Sequence, residues 1–205
     1  MTSPREIIAR GSKSFAMASL LLPLSVQQDV YVLYSWLRHC DDVIDSPGSS
    51  LTDLHNLQFQ LSSGVGPSVA VQMQQLIRRR KLPAVYFDEF FEGLRMDLEN
   101  KAYETQADLE LYCYRVAGVV GLILCPLIGA LDARALPHAC SLGVGMQLTN
   151  ICRDVLEDAR NNRVYLPLQI SQSDLKSHDV ERLPELAKNA VRYLLARAEE
   201  KYQEG

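Results

Sequence analysis

VYVLYSWLRHCDDVID (residues 30–45) and VGMQLTNICRDVLED (residues 144–158) are the two stretches on which the reading of this chain turns. In the first, Val30, Leu33, Leu37, Cys40 and Ile44 recur three and four apart, the spacing of one apolar helix face. One position further round, Tyr34, Arg38, Asp41 and Asp45 repeat that spacing. In the second stretch Val144, Leu148, Ile151 and Val155 form the seam, and Gln147, Asn150, Asp154 and Asp158 form the displaced polar row. Residues so spaced share a helix face, so each helix carries a polar row beside an apolar seam. Acids stacked four apart repel by a few tenths of a kcal/mol on a bare helix. One such pair reads as a solvated face; two, each beside a core seam, point to a cation. Facing each other across a bundle interior, the rows would present four carboxylates and two amides to one cavity. Oxygen donors of this kind suit hard cations, and magnesium typically takes one or two carboxylates while sharing substrate phosphates. Arg38, Arg153 and Arg163 are near enough in sequence to hold phosphate oxygens.

Outward from these stretches, helical periodicity dominates and no segment alternates as a strand would. The pattern predicts helices over 25–46, 50–63, 67–81, 84–100, 108–132, 135–161 and 180–203. Breaks fall at Ser46-Pro47-Gly48, Gly64-Val65-Gly66-Pro67, Leu82-Pro83 and Leu166-Pro167. No repeat or linker divides the chain, so residues 1–205 are expected to form one all-α helical bundle. From Pro184 onward Leu186, Ala190, Val191, Leu194, Leu195, Ala198 and Tyr202 form an amphipathic stripe that needs a partner, either earlier helices or further ones.

A net charge of −4 gives no reason to expect nucleic acid. The five cysteines are odd in number and scattered, with no CxxC pair, which predicts a reducing compartment and neither disulfides nor zinc. The opening MTSPREII lacks the basic-then-apolar layout of a secretory signal. The uncharged, almost wholly apolar run Val116–Leu131 is shorter than the ~20 residues of a bilayer span and reads as a core helix. A cytoplasmic protein is expected, with peripheral membrane attachment as its only contact with lipid.

The residues also carry a family likeness. GSKSFAMASLLLP (11–23), YSWLRHCDDVID (34–45), YCYRVAGVVG (112–121) and MQLTNICRDVLEDARNNRVYLP (146–167) resemble, in order and spacing, the squalene and phytoene synthase family. The wording RHCDDVID is nearest to bacterial phytoene synthases. The resemblance implies an all-α isoprenoid-synthase bundle around a central cavity, with aspartate rows on opposite walls. It implies that Asp41 and Asp45 bind magnesium from one wall and Asn150, Asp154 and Asp158 from the other. Ser12, Ser14, Arg38 and Gln147 correspond to diphosphate-binding positions, and Asn150 and Arg153 are expected in the same substrate-binding set. Phe15, Tyr34, Tyr112 and Tyr165 correspond to aromatics beside the prenyl chains or reacting carbons, with core packing as the plain alternative. Asp97, in GLRMDLE, matches a recurrent family position to which no role is given. Family members usually continue through several more helices, which implies that this chain lacks a C-terminal part of the fold.

The implied activity is magnesium-dependent head-to-head joining of two geranylgeranyl diphosphates to phytoene through a cyclopropyl diphosphate. Squalene or dehydrosqualene synthesis from two farnesyl diphosphates is the alternative within the class. A non-catalytic scaffold relative is the alternative outside it, and it is disfavoured because both acidic rows are complete.

Overall fold

The computed structural model describes residues 17, 19–167, 175 and 184–205. Every regular element among the described residues is a helix. The chain divides into two compact units, Met1–Leu98 with Ile123–Leu131, and Glu99–Leu122 with Asp132–Gly205.

The first unit holds α1 (Leu24–Ile44), α2 (Leu51–Ser63), α3 (Ser68–Arg80) and α4 (Ala84–Leu98). Helix α1 packs on α2, α3 and α4. Its seam buries Val30, Leu33, Cys40 and Ile44 as the periodicity predicts, but the largest buried side chain is Trp36, while Leu37 stays half-buried. Pro47 and Gly48 end α1 two residues earlier than expected, with Asp45 as its C-cap. The next helix starts at Ser50, whose backbone N–H donates to the Asp53 carboxylate at 2.9 Å, satisfying a donor the helix itself leaves open. Gly64, at φ +71°, ends α2 in the left-handed conformation that glycine adopts without cost. Buried Asp29 accepts from both Arg79 and Arg80, the latter at 2.6 Å, and so ties the start of α1 to the end of α3.

The second unit holds α5 (Gln106–Cys113), a π-helical turn (Tyr114–Gly118), the opening residues of α6 (Val119–Ile128), then α7 (Ala135–Arg160) and α8 (Glu185–Glu204). The sequence predicts one helix over 108–132. The structure begins it at the Thr105 cap, where Asp108 and Thr105 exchange hydrogen bonds of 3.0 and 3.1 Å, and widens it by one residue in the π turn. Periodicity cannot see such a turn, because the apolar residues are too dense there to define a phase. The continuous helix Gln106–Ile128 has 23 residues and is, by length and composition, apolar enough to cross a membrane. The sequence reading counts only the uncharged run and finds it short; the helix extends past Arg115 to the Thr105 cap. A little under half of its most apolar stretch is buried in the protein.

The glycines of this helix permit close packing rather than interrupting it. A Cβ on Gly121 would lie 2.2 Å from the Ala139 carbonyl oxygen, and one on Gly143 would lie 2.3 Å from that of Ala117. The π turn and α7 therefore touch backbone to backbone, fixing α7 along its middle. Helix α8 covers α7 with Ala187, Leu194 and Ala198. Only part of the predicted stripe is covered: Leu186 and Leu195 are exposed, while the Tyr202 hydroxyl meets that of Thr149 on α7 at 3.0 Å. The side-chain clamp is Arg197, which donates to both oxygens of Glu110 on α5 at 2.7 and 3.1 Å. Burial would raise the Glu110 carboxyl, but hydrogen bonds from Arg197 and Gln106 outweigh it and hold the group below its usual range.

Gly143→Ala is expected to lower stability by about 1–3 kcal/mol, the range of an overpacked core, because the obstructing atom is backbone. Thermal melts should show the loss, whereas Gly48→Ala, where nothing lies within 4 Å but φ is +83°, suffers only the backbone penalty.

Candidate active site

On α1, one position round from the seam, Tyr34 and Asp41 are half-buried while Arg38 and Asp45 are exposed. The row is thus a wet edge of a buried face. Burial is the largest influence on Asp41, and the charges of Asp45, Asp97 and Asp42 add to it against an opposing pull from Arg38. Together they raise its carboxyl from 3.8 to about 7. Negative charge is concentrated here beyond what the nearby cation offsets. Arg38 is turned to Asp42 at 2.8 Å, off the row. Burial raises the Tyr34 phenol; Arg38 lowers it and Asp41 and Asp42 raise it further, so the group stays a neutral donor. The Cys40 thiol beneath the row is pushed far up by burial and by Asp41, and is inert at neutral pH.

Asp97 is the residue that sequence reasoning leaves without a role. It sits near the end of α4, beside a face that buries Phe87, Phe90, Phe91 and Leu94, and its charge reaches Asp41 from another helix. Asp97 lies three residues beyond Leu94, in register with that apolar face. Being a single acid rather than a stacked pair, it carries no row pattern that would assign it a role.

On α7 the seam Val144, Leu148, Ile151 and Val155 is buried as predicted. All four members of the row, Gln147, Asn150, Asp154 and Asp158, are half-buried. Gln147 accepts from the Asn150 amide at 3.5 Å. Arg153 grips Asp154 with two donors, Nε to Oδ1 at 2.7 Å and Nη2 to Oδ2 at 2.6 Å. Asp158 joins Ile151, Val155, Val164, Tyr165, Leu166 and Leu175 around a small, largely apolar pocket.

The structure also brings together tyrosines far apart in sequence. Tyr112 and Tyr165 stack with ring centres 5.1 Å apart and planes 24° from parallel. Tyr103, in the loop before α5, completes a triangle at 5.4 Å from Tyr112 and 6.1 Å from Tyr165. Tyr103 and Tyr112 are buried, whereas Tyr165 is half-buried beside Asp158. Tyr103 lies outside every predicted helix, where no periodicity could flag it. Ser12, Ser14 and Phe15 lie outside the described residues.

The donor chemistry fits a hard divalent cation: both rows offer carboxylate or amide oxygen and no thiolate or imidazole. Among the described residues no three acidic, histidine or cysteine side chains close into a complete cage. Such an open arrangement suits an ion that keeps water and shares its coordination with phosphate.

Residues 8–205 match the model of the squalene/phytoene synthase family. The chain is 38% identical over 176 residues to a 15-cis-phytoene synthase of a Paracoccus species, covering 79% of this chain and 58% of that protein. To the 15-cis-phytoene synthase of Enterobacter agglomerans it is 40% identical, over 77% of this chain and 58% of the relative. The chain thus spans less than two thirds of these relatives. A crystal structure of a dehydrosqualene synthase superposes with a TM-score of 0.85 at 32% identity, covering 98% of this chain and 74% of the other. Squalene synthase HpnC from Alicyclobacillus acidocaldarius shares the fold, with a TM-score of 0.73 at 21% identity.

The raised Asp41 pKa makes a prediction with a definite sign. The folded carboxyl holds its proton more tightly than the unfolded one, so stability is full below pH ~4 and is lost as pH rises toward 7. In metal-free buffer Asp41→Asn is expected to exceed the parent in stability by roughly 2–4 kcal/mol near pH 8, at about 1.4 kcal/mol per pH unit across that window. The gain should vanish near pH 4. Denaturant melts across this range check it, and equal stabilities at pH 8 would contradict it.

Proposed function

Because the chain belongs to the squalene/phytoene synthase family, we propose that it contributes the acidic helices of an enzyme joining two geranylgeranyl diphosphates head to head into phytoene. The observation that carries the reading is the Asp41 row, where Asp41, Asp45, Asp97 and Asp42 concentrate negative charge beside a buried seam. A charge of that sign calls for a cation, and an allylic diphosphate needs a cation to leave.

In this reading Asp41 and Asp45 hold magnesium from α1, and Asn150, Asp154 and Asp158 hold it from α7. Bound there, the metal supplies Lewis-acid neutralisation of the departing diphosphate. Arg38 and Arg153, paired with Asp42 and Asp154 in this structure, would hold phosphate oxygens, with the Gln147 amide donating to the same group. Ser12, Ser14 and Phe15 belong to the substrate-binding set by family correspondence. Ionisation of one diphosphate leaves an allylic cation, and the double bond of the second prenyl chain attacks it to give the cyclopropyl diphosphate. A second ionisation, rearrangement and loss of a proton then yield the hydrocarbon. Tyr34 is placed to donate from its neutral phenol. The faces of Tyr112 and Tyr165 would each stabilise passing positive charge by roughly 0.5–2 kcal/mol. The apolar linings beside each row keep water from quenching the cation. A product this apolar is delivered to a membrane surface.

The dehydrosqualene synthase likeness supports a second reading, with two farnesyl diphosphates as substrates. Parallel assays with farnesyl and geranylgeranyl diphosphate discriminate: C40 product from the latter supports phytoene synthesis, and C30 product alone rejects it.

Asp41→Ala and Asp154→Ala are each expected to abolish magnesium-dependent turnover, a fall of at least about a thousandfold, while circular dichroism retains the helical signal. Full activity in either variant would remove that residue from the metal site.

A further inference from the structure

Tyr103 belongs to neither polar row, yet the chain fixes it in place with some care. It stands in the link that precedes α5 and is only 4% exposed, as deeply buried as Tyr112. On one side of it Asn100 takes the backbone through a left-handed conformation, at φ 47°. On the other, Thr105 caps α5 by exchanging hydrogen bonds with Asp108. Tyr165 is delivered in the same way: it comes three residues after Asn162, at φ 63°, as Tyr103 comes three residues after Asn100. Non-glycine residues seldom take this conformation, and asparagine is among the few that do. Two separate turns therefore bring two rings to one place.

That place is Tyr112. Its ring centre lies 5.4 Å from that of Tyr103 and 5.1 Å from that of Tyr165. Tyr103 and Tyr165 are 6.1 Å apart, with planes 24° from parallel. These are the separations of rings packed on one another. Tyr165 is half-buried and lines the small pocket with Asp158, whereas Tyr103 is not among the residues that line it. An aromatic ring attracts positive charge over its face and not at its edge, so its orientation decides whether it helps. A half-buried tyrosine is free to change rotamer unless something packs against it. Tyr103 supplies that packing to both partners at once.

We propose that Tyr103 is a positioning residue: its ring fixes the planes of Tyr112 and Tyr165, and through them the faces offered to the allylic cation. The chemical consequence rests on the reaction proposed above; the packing role does not. The ring carries the function, so phenylalanine should serve in its place and an aliphatic side chain should not.

Two measurements on the full chain test it. Nitration by tetranitromethane, mapped by mass spectrometry, reads how freely each tyrosine ring is reached and needs no turnover. Tyr103→Leu is expected to raise the rate at Tyr112 at least about tenfold through local opening. It should leave unchanged the rate at Tyr86, half-buried in the first unit. Tyr103→Phe should keep Tyr112 protected. In assays with geranylgeranyl diphosphate, Tyr103→Leu should lower kcat about tenfold with KM unchanged, because the rows assigned to the diphosphate are untouched. Tyr103→Phe should stay within about twofold of the parent. If circular dichroism shows that Tyr103→Leu does not fold, Tyr103→Met, which refills the space with a flexible chain, takes its place. The proposal is overturned by unchanged nitration of Tyr112 in the aliphatic variant, by an unchanged kcat, or by a rise in KM alone. It is also overturned by a phenylalanine variant as impaired as the leucine one. Absence of turnover in the parent strikes the proposed reaction instead, and nitration then decides the role of Tyr103 by itself.

Discussion

Carboxylates held close together at the edge of an apolar face are the constraint around which this chain is built. Water would disperse their repulsion; burial does not, and the Asp41 carboxyl responds by holding its proton up to about pH 7. A fold tolerates such a group when something else stabilises the whole, and when a ligand removes the cost on arrival. The rest of the first unit serves that end. Trp36, Leu33, Met73, Leu76 and Leu94 are fully or almost fully buried, giving α1 a fixed seam that holds the row at the edge of the buried face.

In the second unit the same problem is met by backbone contact. Gly118, Gly121 and Gly143 let the π turn and α7 approach more closely than any side chain would permit, so the polar row of α7 is set by main chain rather than by rotamers. The π turn has a consequence of its own. One extra residue in the turn rotates everything that precedes it, and Tyr112 sits two residues before it, stacked on Tyr165. The tyrosine triangle thus depends on an irregularity in the helix that carries its central member. Arg197 and Glu110 then lock α8 over α5, leaving Leu186 and Leu195 uncovered.

Ion pairs act here as positional devices more than as sources of stability. Asp29 is a buried acid with two arginine partners, and replacing such a group by apolar residues is often neutral or better for stability. What it secures is register, the start of α1 against the end of α3. Arg38 and Arg153 hold acids nearer the surface, where their side chains are 49% and 68% exposed and a change of partner costs little desolvation.

The sequence alone determined the helical class, the two seams and the acid rows beside them, because a 3.6-residue period projects local order directly onto one face. Asp41, Asp45, Asp154 and Asp158 were legible for that reason, and their element boundaries came within a few residues because Pro, Gly and capping residues act locally. Tyr103 was not legible, and Asp97 was legible only as a family position without a role. Their significance lies in reaching Asp41, or Tyr112 and Tyr165, from other parts of the chain, and no periodicity encodes distance between elements. The burial of Trp36 in place of Leu37, the π turn and the Asp29 pairing were likewise decided by packing, where the shape of neighbouring helices, rather than the order of residues in one, selects what is covered.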